Sequence, residues 1–154
     1  MNEPIRAPKT TQHLRQIQRV IAGEISPPPA AKLVGFRVVQ IDLGRAVFEL
    51  DAGPQHANPM GTLHGGILCD VADAALGMAM ASTLEDDESF TTLDLTAKYF
   101  KPIWTARLTV IGRVTKRTRT LGLIEGEVTD DQGSLVAKVF STCMVLRGEE
   151  ARGR

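Results

Sequence analysis

The chain has little cysteine, no excess of either charge and no long uncharged apolar run. Its two cysteines, Cys69 and Cys143, lie in apolar stretches without a CxxC pair. That argues against a disulfide scaffold or a zinc site and for two small buried hydrophobes in a reducing compartment. Lys plus Arg and Asp plus Glu number 18 each, for a formal net charge of zero. Broad attraction to nucleic acid or an anionic membrane is therefore unsupported. The longest apolar stretch, residues 67 to 81, contains Asp70 and Asp73 and is too short to span a bilayer comfortably. The first 19 residues are polar, are broken by Pro4 and Pro8, and lack the apolar core of a signal peptide. A cytoplasmic location is expected.

What is present suffices for one domain. At 154 residues, 43% hydrophobic and 23% charged, the composition is that of a globular protein able to bury a core without staples. Residues 1 to 10 are expected to be disordered. Leu14, Ile17, Val20 and Ile21 fall at helical spacing and predict a short helix over residues 11 to 23. Pro27, Pro28 and Pro29 then forbid regular structure, followed by a brief turn at residues 30 to 33. Two strands are expected between Gly35 and Asp51, joined at Asp42-Leu43-Gly44. A loop follows over residues 52 to 63. From residue 66 to about residue 82 the chain is apolar round the whole circumference, which predicts a buried helix. Four β segments come next, over residues 90 to 100, 104 to 115, 120 to 129 and 134 to 146, the last two separated by the turn Asp130-Asp131-Gln132-Gly133. The fold class is α+β: an antiparallel sheet of five to six strands wrapped around one long central helix, with a short N-terminal helix. The boundaries read as a tail and helix over 1–24, the domain over 25–148 and a disordered tail over 149–154.

The chemistry concentrates in Asn58-Pro-Met-Gly-Thr-Leu-His64-Gly65-Gly66-Ile-Leu-Cys-Asp70-Val-Ala-Asp73. His64-Gly65-Gly66 lies where a loop enters a helix, so its amides lack intrahelical partners. The bare glycines let a ligand approach those donors, and the helix dipole favours negative charge there. Such a place suits the oxyanion of an attacked carbonyl. The same two glycines could serve only to turn the chain into a tightly packed helix. Asp73 sits in an apolar helix, where a charge is costly unless paired or used. A structural Asp bonded to neighbouring backbone is the other reading, and Asp70 is its rival three residues earlier.

In this register the segment resembles the PaaI-type branch of the hotdog thioesterases, named for phenylacetic acid degradation. That pattern is an Asn, then GxxHGG, then a carboxylate seven residues past the second Gly, matched here by Asn58, Gly61, His64, Gly65, Gly66 and Asp73. The likeness covers residues 25 to 146. It implies a hotdog fold, acyl-CoA as substrate, no cofactor and no metal, and a homodimer or homotetramer. It implies Asp73 as nucleophile or general base and the Gly65 amide, with Gly66 beside it, as the donor to the carbonyl. It further implies Asn58 as an orienting group, His64 as a loop or substrate contact, and Thr92 as a helper of the attacking water. Coenzyme A carries phosphates that Arg recognises, so Lys116, Arg117 and Arg119 become candidate nucleotide contacts. One departure is visible: enzymes acting on 4-hydroxybenzoyl-CoA carry a Thr one turn past the carboxylate, where this chain has Gly77.

Geometry adds a point about assembly. Eight residues of helix separate Gly65 from Asp73, about 12 Å along the axis. A reacting carbonyl must lie roughly 3 Å from both donor and attacking group. Two antiparallel helices across a two-fold axis meet that demand, so the site is expected to be shared between subunits. Two other functions fit less of the sequence. A hydratase or dehydratase of acyl thioesters would pair His56 or His64 with a carboxylate, and a non-catalytic acyl-CoA-binding protein would bind without turnover.

Overall fold

The computed structural model describes residues 11–152. Helix α1 (Gln12–Ile21) starts at Thr11, whose Oγ1 accepts the Leu14 amide at 3.4 Å, and it buries Leu14 and Ile17. Both join the main hydrophobic core, so this helix belongs to the same packed unit as the residues after it. The expected disorder of residues 1–10 lies outside the described residues.

The proline run does not exclude structure, as the sequence suggested. Pro29 opens a six-residue helix, α2 (Pro29–Val34), which ends at Gly35 with φ +91°. Proline is tolerated at a first helical position because that N–H has no partner in any case. Strands β1 (Phe36–Asp42) and β2 (Arg45–Ala52) form a hairpin closed by Leu43 and Gly44, with Gly44 at φ +69°. Next comes α3 (Gly65–Ala81), and then β3 (Glu88–Tyr99), β4 (Ala106–Arg117), β5 (Leu121–Thr129) and β6 (Leu135–Arg147). Of the C-terminal tail expected to be disordered, residues 149–152 hold structure, and residues 153–154 lie outside the described residues. Gly148–Ala151 form a 3-10 turn, and Arg152 pairs with Glu149.

The six strands make one antiparallel sheet in the order β1-β2-β4-β5-β6-β3. It curls around α3, whose Val71, Ala72, Ala75, Leu76, Ala79 and Met80 are buried. Close approach is possible because glycines face the helix from paired positions. A Cβ on Gly112 would sit 2.8 Å from the Ala75 carbonyl, and one on Gly126 would sit 2.6 Å from Leu76 Cδ1. Gly112 and Gly126 are partners in the β4–β5 ladder, so together they cut a trough in the sheet.

The helix is not buried on every side. Gly66 and Asp73 are exposed, and Cys69 and Asp70 are only partly covered. The apolar count round the helix overstated its burial because most of the uncovered positions are small or polar. The neighbouring strand, β3, is one of the two edge strands of the sheet, with β6 on one side and no strand among the described residues on the other.

Candidate active site

The loop before α3 is built by Asn58. Its Oδ1 accepts the Met60 amide at 2.9 Å and the Thr62 amide at 3.2 Å, while Nδ2 donates to Thr62 Oγ1 at 3.0 Å. The loop is then tied to its surroundings through Leu63 N–H on Ile103 O at 2.6 Å and His64 N–H on His56 O at 2.9 Å. His56 is buried. Its Nδ1 accepts the Gly53 amide at 3.3 Å and its Nε2 lies 2.7 Å from the Val34 carbonyl, which places the proton on Nε2.

His64 caps α3. Its Nδ1 accepts the Gly66 N–H at 2.9 Å, and its carbonyl accepts those of Ile67 at 3.0 Å and Leu68 at 3.3 Å. Of the four amides at 65 to 68, three are thereby satisfied, and only the Gly65 N–H lacks an acceptor among the described residues. The sequence reading names the Gly65 amide as the donor to the carbonyl, with Gly66 beside it. The cap separates them. His56 and His64 both bond to backbone groups, and neither is paired with a carboxylate among the described residues of one chain.

Gly65, Cys69, Asp73 and Gly77 recur every four residues and so share one face of α3. β3 runs along that face. At one end Tyr99 Oη donates to Gly65 O at 2.9 Å and meets Cys69 Sγ at 3.0 Å. Further on, Thr92 Oγ1 donates to Asp73 Oδ1 at 3.3 Å. At the far end a Cβ on Gly77 would sit 3.3 Å from the Phe90 ring. The Gly77 departure therefore has a local cause: the Phe90 ring occupies the space a threonine side chain would need.

Asp73 keeps access to solvent, but its carboxyl is partly desolvated against β3. That loss of water raises its pKa above the ordinary value; the Thr92 hydroxyl draws it down, and the charge of Asp70 adds to the rise. A carboxylate in this state is a better proton acceptor than a free one. Burial likewise pushes the Tyr99 phenol up to about 12, with Cys69 adding to the effect, so Tyr99 remains a donor. A cavity of about 410 Å3 opens beside Gly65, walled by Leu63, Leu68, Tyr99, Phe100 and Ile103. Another, of about 370 Å3, lies on the other side of the helix start, between His56, His64 and Ile67.

Tyr99 is the residue that sequence reasoning missed. It lies seven positions from Thr92, which in a regular strand puts the two on opposite faces. A bulge between Thr92 and Asp94 reverses the parity, so both face the helix.

The basic cluster is not held together at the site. The Arg117 guanidinium pairs with Glu88 Oε2 at 2.9 Å, and Arg147 takes the other oxygen of the same carboxylate. Burial works to raise the Glu88 pKa, but the Glu85 amide and the two guanidiniums outweigh it and hold the group below its ordinary value. Lys116 and Arg119 form no ion pair among the described residues. No three His, Cys, Asp or Glu side chains among the described residues gather as a metal-binding set. None of the described helices is long and apolar enough to cross a membrane.

Residues 60–137 match the family model described as the Thioesterase superfamily. The chain belongs to the thioesterase superfamily. A candidate esterase of Saccharolobus solfataricus is 30% identical over 116 residues, covering 75% of this chain and 82% of its own length. Acyl-coenzyme A thioesterase 13 of Mus musculus is 27% identical over 130 residues, covering 83% and 91%. A solved structure from Ralstonia eutropha, described as a thioesterase candidate related to phenylacetic acid degradation, matches with a TM-score of 0.75 and 31% identity. It covers 83% of this chain and 98% of that one. The fold is the hotdog fold of PaaI-type thioesterases, and the protein is a thioester hydrolase.

Proposed function

We propose that this thioesterase hydrolyses acyl-CoA thioesters at a site completed by a second copy of the chain. The observation that carries the reading is the division of the open face of α3. The free Gly65 amide and the Asp73 carboxyl sit at its two ends, about 12 Å apart along the helix, too far for one carbonyl to reach both. Two copies of α3 laid antiparallel across a two-fold axis would bring each Gly65 to the other's Asp73. The long outer edge of β3 supports that arrangement, because an uncovered edge strand is a template for pairing.

In the reaction, the thioester oxygen sits on the Gly65 N–H. Asp73 of the other copy takes a proton from water as the water oxygen bonds to the carbonyl carbon. The C–S bond then breaks, the acid forms, and the CoA sulfur leaves with a proton. Thr92, on the Asp73 oxygen, steadies the carboxylate and its water. Coenzyme A enters this reading from acyl-coenzyme A thioesterase 13 of Mus musculus, a relative of the chain. Lys116 and Arg119 are the candidate phosphate contacts, since Glu88 holds Arg117. No cofactor is required.

The test is thiol release from a panel of aliphatic and aromatic acyl-CoAs. Asp73→Asn is expected to lower kcat by on the order of 10^3-fold without loss of thermal stability. Equal thiol release from wild type and Asp73→Asn would end the reading.

A further inference from the structure

We propose that Tyr99 is a positioning residue for this reaction, clamping the start of α3 so that the Gly65 N–H stays aimed at the thioester carbonyl. The proposal rests on the acyl-transfer reading above and adds a residue to it.

The start of α3 is two consecutive peptide units, each held at both ends except at the one point where a substrate would bind. In the first, the His64 carbonyl accepts the Ile67 and Leu68 amides, and the Gly65 N–H is left open. In the second, the Gly65 carbonyl takes the Tyr99 hydroxyl at 2.9 Å, and the Gly66 N–H is taken by His64 Nδ1 at 2.9 Å. The Gly65 carbonyl also receives the helical amide four residues on, as the ladder of an α-helix requires. The phenol is thus a second donor to a carbonyl that was already satisfied. Repairing a vacancy does not explain it.

What the bond does is fix the plane of the Gly65–Gly66 peptide. Each donor added to a carbonyl also strengthens that unit's own N–H as a donor, here tightening the His64 cap. With the cap tight, the preceding peptide cannot rotate, and the Gly65 N–H keeps its direction without reorganisation when charge develops on the substrate. Tyr99 is well placed to be rigid. It ends the twelve-residue strand β3, the same strand that carries Thr92 to Asp73, so one element sets donor and carboxylate in a common frame. Tyr99 is 52% exposed, yet its hydroxyl is held inward. A side chain at position 65 would crowd this bond, because a Cβ there would lie 3.0 Å from the phenol oxygen.

The first test is Tyr99→Phe, which keeps the ring in the cavity wall and removes only the hydroxyl. The expected result is a fall in kcat of about 10- to 30-fold with KM changed less than about threefold, as for a group acting only as charge develops. Cys69→Ala, which removes the other partner of the phenol, is expected to stay within about threefold of wild type. The second readout is the infrared carbonyl stretch of 13C-labelled benzoyl-CoA bound to Asp73→Asn. Adding Tyr99→Phe is expected to reduce the downshift of that band by about half. A kcat within threefold of wild type, or an undiminished downshift, would overturn the proposal.

Tyr99 is the only tyrosine in the chain, so 3-fluorotyrosine supplied during growth labels this position alone. Its 19F resonance is expected to move when a thioether analogue of benzoyl-CoA saturates the protein. A resonance that stays put would contradict the clamp even if Tyr99→Phe proved unstable. Failure of the parent reading is distinct: Asp73→Asn would then retain full turnover, whatever Tyr99 does.

Discussion

The two sides of α3 follow different rules. On the side facing β4 and β5, Ala72, Ala75, Leu76, Ala79 and Met80 close against the sheet, and Gly112 and Gly126 remove the atoms that would keep the helix away. That side is complete within one chain. On the side facing β3, Gly65, Cys69 and Asp73 stand at a sheet edge with room beside them, and over that stretch the helix meets the strand through polar contacts at Tyr99 and Thr92. Close packing specifies the first side; hydrogen-bond direction specifies the second. Stability should therefore reside on one side and catalysis on the other, and substitutions on the two sides should separate these properties.

The largest effect on stability is expected on the packed side. Gly112→Val pushes a branched side chain into the backbone of Ala75 and should cost about 3 kcal/mol, the upper part of the usual range for overpacking. Chemical denaturation should show it as a lower midpoint. An unchanged midpoint would mean that the glycine trough does not set the helix position.

On the open side, Gly65→Pro and Gly65→Ala make a matched pair. Both add a Cβ near Tyr99, but only proline removes the N–H. Proline is also acceptable there, because Gly65 is the first helical residue and His64 before it is extended at φ −63° and ψ 127°. Gly65→Pro should lose about 10^2-fold in kcat relative to Gly65→Ala, with similar melting temperatures. Equal rates for the two variants would remove the amide from the mechanism.

A smaller effect belongs to Thr92→Val. Asp73 acts when deprotonated, so the rate should fall as pH drops through its raised pKa. The Thr92 hydroxyl draws that pKa down, so its loss should move the acid limb of the kcat profile to higher pH and cost less than about tenfold at the plateau. A limb that moved to lower pH would reverse the assigned role of the hydroxyl.

The outline of the fold was legible because its signals are local. Alternation marked the strands, Asp130-Asp131-Gln132-Gly133 marked a hairpin whose Gly133 has φ +75°, and unbroken apolar character marked α3. The residues proposed as the core of the site were visible for the same reason, since His64, Gly65, Gly66 and Asp73 lie within ten consecutive residues. What escaped depends on distance or on parity. The capture of Arg117 by Glu88 joins positions 29 residues apart. The bulge after Thr92 hides that Tyr99 faces the same way. The open side of α3 was unreadable for another reason: alanine, glycine and cysteine are small enough for a buried or an exposed setting, so their count does not reveal which side a sheet covers.

The central claim is that donor and carboxylate in each working site come from different chains. Co-refolding inactive Asp73→Asn with inactive Gly65→Pro in equal amounts tests it directly. Half of randomly assorted dimers are mixed, and each mixed dimer has one site with both native groups, so activity should return to about a quarter of wild type. A mixture no more active than its two components assayed separately would contradict the account.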